Sequence, residues 1–326
     1  MSRSTPNALS EFELIAQYFS RPASEGVIGV GDDCGIFSVR PGFQLAVSTD
    51  TLIQGQHFFA DTDPERLGHK ALAVNLSDLA AVGAVPRACL LALALPTPDQ
   101  QWLKSFSRGF HALAEATDCP LIGGDTTKNP SGVMMTVTVL GEVPVAQALL
   151  RNRARPEDDI WVTGHLGAPF LALQMISGHW PSEQQVLALA RPRLEQPQPP
   201  VLWATELPGQ AHAAIDISDG LVQDLTHILT ASQCGARLYS RLLPQHPALK
   251  DQPRAHQYQA LLAGGDEFEL CFTAPKQARA FILDSARKAQ VTVTRIGQVT
   301  EDPGLSIFDF DDQPLEITTA GFDHFR

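Results

Sequence analysis

Two spacings of apolar residues alternate along the chain. Residues recurring every second position, or running unbroken for a few, predict strands at 44–49, 88–95, 133–140, 160–163, 213–217, 269–273 and 291–299. Helical spacing fills the gaps, most clearly at 64–83, 100–117, 170–177, 221–232 and 276–289. A short amphipathic helix is expected from Ser10. The chain is therefore mixed α/β, with no solenoid period. Its longest apolar run, 88–95, ends at Pro96 and is too short to cross a bilayer.

At 326 residues the chain is long for one core, so two domains are expected. Composition turns charged and proline-bearing at "RNRARPEDD", 151–159, between two strands. That places the boundary near Leu150, with domains at 1–150 and 151–326. "RPRLEQPQPP", 191–200, is rich enough in proline to be expected as a loop. The charged run of "IFDFDDQPL" is expected as a solvated hairpin turn.

Composition narrows the function classes. There are 36 acidic against 24 basic side chains, a net charge of -12, and no basic block. Nucleic acid and anionic membranes are poor partners for such a chain. The N-terminus lacks the apolar core and small-residue cleavage site of a signal peptide. Five cysteines without metal-type pairing read as reduced thiols of a cytoplasmic protein, with neither disulfides nor zinc.

The informative residues are carboxylates in places where carboxylates are costly. "GVGDDCGIF" sets Asp32 and Asp33 between glycines. Turn formation is one reading of such a run. "LAVSTDTL" delivers Ser48, Thr49 and Asp50 at the end of an alternating strand. In "PERLGHKALAVNLSDLAAVGA" a helix apolar nearly all round from Ala71 onward carries Asp78 on the face of Leu67, Ala71, Asn75 and Val82. A carboxylate buried there needs a cation, whether a metal or a basic side chain from the core. "LIGGDTTK" puts Asp125 after two glycines, and "AIDISDGL" brings up Asp216 at a strand end with Ser218 and Asp219 where a helix begins. Capping would account for the last two but not for Asp216.

This dispersed oxygen set, without histidines or thiolates around it, suits magnesium. Several magnesium ions imply a polyphosphate. No P-loop, dinucleotide fingerprint or protein-kinase motif is present, so any nucleotide is held differently.

Seven blocks, "GVGDDCG", "STDTLIQGQHF", "HKALAVNLSDLAAVGA", "LIGGDTTK", "AIDISDGL", "GGDEFEL" and "GFDHF", occur in the order found in the thiamine-monophosphate kinase family. The sequence resembles that family, within the aminoimidazole ribonucleotide synthetase superfamily, from Gly29 to Phe325. The resemblance implies a two-domain α/β fold whose N-terminal sheet pairs with that of a second subunit into a shared barrel, hence a homodimer. It implies phosphorylation of thiamine monophosphate by Mg-ATP, with direct in-line transfer. By motif position, Asp33, Ser48, Thr49, Asp50, Asp78, Asp125, Asp216 and Asp219 are the expected magnesium ligands. Gly124, Asp125, Arg151 and Ser218 are the expected ATP contacts, and His57, Asp266 and Phe322 those of the thiamine phosphate.

The chain departs from the family in three places. It reads "GGDEFEL" where the family commonly has G-G-E-D-Y-E-L, so Glu267 competes with Asp266 for the substrate role. Ala168 and Pro169 stand where Asp and Ser are frequent, and Gln196 and Pro200 where basic residues are frequent. Two alternatives follow: another ATP-dependent enzyme of the superfamily, or a non-catalytic Mg-ATP-binding scaffold.

Overall fold

In the computed structural model, residues 10–21, 27–30 and 34–315 are described. The elements run α1 (Glu11–Leu14, continued as a π-turn over Ile15–Phe19), β1 (Phe43–Ile53), α2 (Pro64–Ala81), β2 (Val85–Leu95), α3 (Gln100–Ala116), β3 (Leu121–Lys128) and β4 (Met134–Pro144). There follow β5 (Asp159–Thr163), α4 (Ala168–Ile176), α5 (Gln184–Glu195), α6 (Val201–Ala204), β6 (Ala213–Asp216), α7 (Leu221–Ser232), β7 (Gly235–Tyr239), α8 (Arg254–Tyr258), β8 (Leu270–Ala274), α9 (Arg279–Ala289), β9 (Val293–Thr300) and β10 (Gly304–Phe308). The chain divides into two compact units, Met1–Leu79 with Pro86–Glu142, and Ala80–Val85 with Val143–Arg326.

The first unit is a four-stranded sheet in the order β1-β4-β2-β3. Its core is supplied by α2, α3 and the strand faces that meet them. Leu67, Leu72, Leu76 and Leu79 of α2 are buried together with Leu103, Phe106 and Phe110 of α3. At Gly68 and Gly109 an added Cβ would meet the other helix's backbone, so the two helices touch where neither has a side chain. The opposite face of β1 is different: Leu45, Val47 and Ile53 stay exposed, Val47 at 58%. This chain thus forms a sheet covered on one side.

The second unit is a six-stranded mixed sheet in the order β10-β7-β9-β5-β8-β6. Trp161, Trp203, Leu270 and Phe272 pack at its centre against Ile282 and Ala286 of α9. β6 and β8 are antiparallel with Asp216 opposite Leu270, which brings the ends of two of the motif loops side by side.

Two expectations are corrected here and a third is extended. Residues 191–195 are the last turn of α5 rather than loop, because Pro192 is accommodated near the helix end and the Gln196 N–H still reaches the Pro192 carbonyl at 2.9 Å. "LIGGDTTK" is strand β3, where no strand was expected. The 309–313 turn is formed as expected, though Arg241 pairs with Asp312 at 2.6 Å, so its acids are not merely solvated. Among the described residues no helix is long and apolar enough to cross a membrane.

Candidate functional site

Strand alternation sorts the three oxygen-bearing residues of β1. Ser48 and Asp50 face α2, whereas Thr49 faces the other way, its Oγ1 2.9 Å from that of Thr138 on β4 and donating to the Val137 carbonyl at 3.1 Å. The Ser48 hydroxyl donates to Asp78 Oδ2 at 2.5 Å, and the Asp50 N–H donates to Asn75 Oδ1 at 2.9 Å. The side chains of Asp50 and Asp78 are themselves hydrogen-bonded. Loss of hydration around the Asp50 carboxyl raises it above its ordinary value and the bond to Asp78 opposes this, although the residue as a whole is exposed. Asp78 is half-buried, so the expected sealed carboxylate is in fact a window at the strand–helix junction. Two carboxyls this close repel unless they share a proton or a cation.

His57 sits in the turn after β1. Its Nδ1 accepts the Ile53 N–H at 3.0 Å, which leaves the proton of the neutral ring on Nε2. Buried Lys70 on α2 donates to the His57 carbonyl at 3.3 Å. This turn is held from two sides.

Gly124 and Asp125 lie on β3, at the sheet edge opposite β1. A Cβ on Gly124, whose φ is +152°, would stand 1.9 Å from the Leu91 carbonyl oxygen of β2. Strand pairing alone therefore demands a glycine there. Asp125, opposite Ala92, is exposed. Asp33 and Phe322 lie outside the described residues. Among those described, no group of three His, Cys, Asp or Glu side chains is close enough to enclose a metal ion.

In the second unit, β6 ends at buried Asp216 and the chain turns through Ser218, Asp219 and Gly220 into α7. Neither Ser218 nor Asp219 caps the helix with its side chain. Asp224, inside the first turn, does that work: its Oδ2 accepts the N–H groups of Ser218, Asp219 and Gly220, each at 3.1 Å. Burial pushes Asp224 up to about 7 against those three donors. The Ser218 and Asp219 side chains are thereby left to other partners, and Gln223 Nε2 donates to Asp219 Oδ2 at 3.3 Å. Arg151 opens an exposed single turn, Arg151–Arg153, pinned to α7 where the Ser232 hydroxyl donates to the Arg151 carbonyl at 2.8 Å.

The "GGDEFEL" loop runs alongside. The Asp266 N–H donates to the Ser218 carbonyl at 2.8 Å, and the Phe268 N–H to that of Ile217 at 2.9 Å. Approach is so close that a Cβ on Gly265 would sit 2.4 Å from the Ser218 oxygen. Asp266 is half-buried at φ +62°. Glu267 is 2% exposed and turns inward, and Asp266 is the nearer of the two acids to the surface.

Sequence reasoning missed Asn75, Lys70 and Asp224. Asn75 and Asp78, three apart on the mostly apolar stretch from Ala71 onward, were visible as a pair on one face. Asp224 resembles any acid in a first helical turn.

Family models describe both halves of the chain. The N-terminal domain of AIR synthase related protein matches residues 31–143 and its C-terminal domain residues 155–310. The curated thiamine-monophosphate kinase of Escherichia coli strain K12 is 42% identical over 323 residues, covering 98% of this chain and 99% of the relative. A crystal structure of thiamine-monophosphate kinase from Stenotrophomonas maltophilia K279a superposes with a TM-score of 0.82 at 39% identity, covering 89% of this chain and 93% of that one. A structure described as AaThiL complexed with AMPPCP and TMP gives a TM-score of 0.75 at 28% identity, covering 88% and 89%.

Proposed function

From the premise that the chain belongs to the AIR synthase related protein family, and within it to the thiamine-monophosphate kinases, we infer how its residues serve the reaction. The protein is an ATP-dependent kinase that phosphorylates thiamine monophosphate to thiamine diphosphate. The likeness to curated kinases over nearly the full length of both chains carries this reading, and the scaffold alternative loses its motive.

We propose that magnesium is the companion of ATP. The carboxyl pair Asp50–Asp78 with the Ser48 hydroxyl, and Asp216 with Asp219, are oxygen donors of the kind that ion prefers. Asp33 and Asp125 complete the proposed set, with Thr49 assigned by motif position although its hydroxyl faces β4. Bound there, magnesium would neutralise charge on the phosphates. Gly124, Asp125, Arg151 and Ser218 are assigned to the nucleotide, with the Arg151 guanidinium suited to a phosphate. His57, Asp266 and Phe322 are assigned to the thiamine phosphate. A phosphate monoester is ionised near neutrality, so transfer to it needs alignment and charge neutralisation rather than a general base, and none is assigned. Direct in-line transfer follows.

We also propose that residues 1–150 form the dimerisation and Mg-ATP domain, that 151–326 complete the enzyme, and that it works in the cytoplasm. A second copy would cover the open face of β1, with Leu45, Val47 and Ile53, in a shared barrel. Sedimentation at micromolar concentration should return a dimer, and a stable monomer would contradict this. For the activity, the protein is incubated with Mg-ATP and, separately, thiamine, thiamine monophosphate, formylglycinamidine ribonucleotide and selenide. Product from the monophosphate alone is expected. Product from either of the last two, with none from thiamine monophosphate, would move the chain to another branch.

A further inference from the structure

Glu267 has no assigned part in the reaction, yet its surroundings are unusual. Its carboxyl is buried beneath the substrate-side loop, where Oε1 accepts the N–H of Gly167, the N-cap of α4. Its other oxygen, Oε2, is buried without a hydrogen-bond partner. On either side of Glu267, Asp266 and Phe268 both adopt left-handed backbone, φ +62° and +52°. Such conformations are uncommon for Asp and costly for Phe, and persist only when the surroundings enforce them.

We propose that Glu267 is a positioning residue for the phosphoryl transfer: its buried carboxyl ties the loop to the N-terminus of α4, and so fixes Asp266 and the Ser218 main chain that the loop grips. The chain of contacts is continuous. Glu267 holds Gly167; the flanking N–H groups of Asp266 and Phe268 hold the carbonyls of Ser218 and Ile217; the Ile217 N–H closes the ladder on the Glu269 carbonyl at 2.7 Å. Losing the anchor frees the two strained residues to relax, and Asp266 moves with them. This rests on Asp266 serving the substrate, as proposed above.

The carboxyl acts as a neutral acid. Burial raises it well above the ordinary glutamate value, against the Gly167 N–H, and Glu269 and Asp266 raise it further while Arg193 on α5 pulls it down. The groups around it settle the sign. Arg193 is already committed to Glu269, donating to its Oε1 at 2.8 Å, and Thr163 of β5 donates to Glu269 Oε2 at 2.6 Å. His246, in the turn before Pro247–Leu249, is lowered to about 4 by burial and by Arg193 and His165, and is uncharged near neutrality. Arg193, the cation that lowers Glu267, is thus shared with Glu269. A proton on Oε2 removes the cost of a buried anion beside Glu269, which is itself pushed up to about 7.

An isosteric amide should then substitute for the acid, because glutamine presents the same carbonyl to Gly167 without titrating. Glu267→Ala, Glu267→Gln and wild type are compared by steady-state kinetics from pH 6 to 9 and by amide hydrogen exchange over 264–269. The expected result is a KM for thiamine monophosphate raised about tenfold or more in Glu267→Ala, with the KM for ATP changed much less. Exchange of the Asp266 and Phe268 amides should speed up in the same variant. Glu267→Gln should restore both, and should lack the rise in KM that the neutral acid predicts for wild type as pH goes up. Unchanged exchange in Glu267→Ala overturns the anchor, and Glu267→Gln as impaired as Glu267→Ala overturns the neutral acid. Faster exchange with no change in KM would retain the anchor and instead remove Asp266 from the substrate site. Should Glu267→Ala fail to fold, the Gln comparison and the pH profile decide alone.

Discussion

Asp78 shows what a single residue discloses in sequence and what it withholds. An acid in a helix that is apolar nearly all round is conspicuous, because burial without a counter-charge costs several kcal/mol, on the order expected for an isolated carboxylate. What could not be read was its company. The Ser48 hydroxyl and the Asp50 carboxyl come from a strand thirty residues away in the chain, on the one face that alternation turns toward α2. Thr49, between them, was legible as oxygen-bearing but not as facing β4. Replacing Asp78 by Asn removes half of a repelling pair while keeping an acceptor for Ser48. The variant should therefore fold with a melting temperature at or above wild type, yet lose about 100-fold or more in kcat, measured at saturating thiamine monophosphate. Normal turnover of a folded Asp78→Asn protein at limiting magnesium would remove the carboxyl from the metal set.

At the scale of elements, periodicity located most strands and helices, and the failures share a cause. β3 hides behind two glycines and an aspartate, residues depleted in strands, and is held by pairing with β2 that only the folded sheet supplies. β7 and β10 are five residues each and pair with one another although β8, α9 and β9 lie between them in the chain. The last turn of α5 was obscured by Pro192, yet its Arg193 reaches Glu269. The entry into α7 teaches the converse: Ser218 and Asp219 look like caps, and Asp224 is the cap. Asp224→Ala leaves three partly buried N–H groups without their acceptor. A loss of about 2–3 kcal/mol in unfolding free energy is expected by denaturant titration, with a larger fall in kcat/KM than that loss of stability explains. Asp224→Asn should recover most of the stability, since an amide oxygen still accepts. Equal damage from both would mean that the charge, not the hydrogen bonds, is what matters.

Across the whole molecule, buried acids set an opposition that pH resolves. Glu269, pushed up to about 7 by burial against Thr163 and Arg193, holds its proton in the folded chain longer than in the unfolded one. Its contribution is complete below the ordinary glutamate value and is lost as pH rises toward 7. Glu142 and Asp159 run the other way. Burial alone would raise them, but Arg40 and Arg87 hold Glu142 down, and Arg279 and Arg295 hold Asp159 down, so their contribution fades as pH falls into the acid range. Thermal unfolding of the ligand-free protein should accordingly be highest in mildly acidic buffer and decline toward pH 8, and Glu269→Gln should flatten that decline. A profile still rising through pH 8 would contradict it. The reaction itself is phosphoryl transfer from ATP to the phosphate of thiamine monophosphate. Its most direct test uses ATP carrying heavy oxygen on the γ-phosphorus and reads the product by tandem mass spectrometry. All of the label carried by the transferred group should appear on the terminal phosphorus of thiamine diphosphate, with ADP formed in equal amount and free thiamine unreactive. Label confined to inorganic phosphate, or thiamine diphosphate formed without it, would contradict the account.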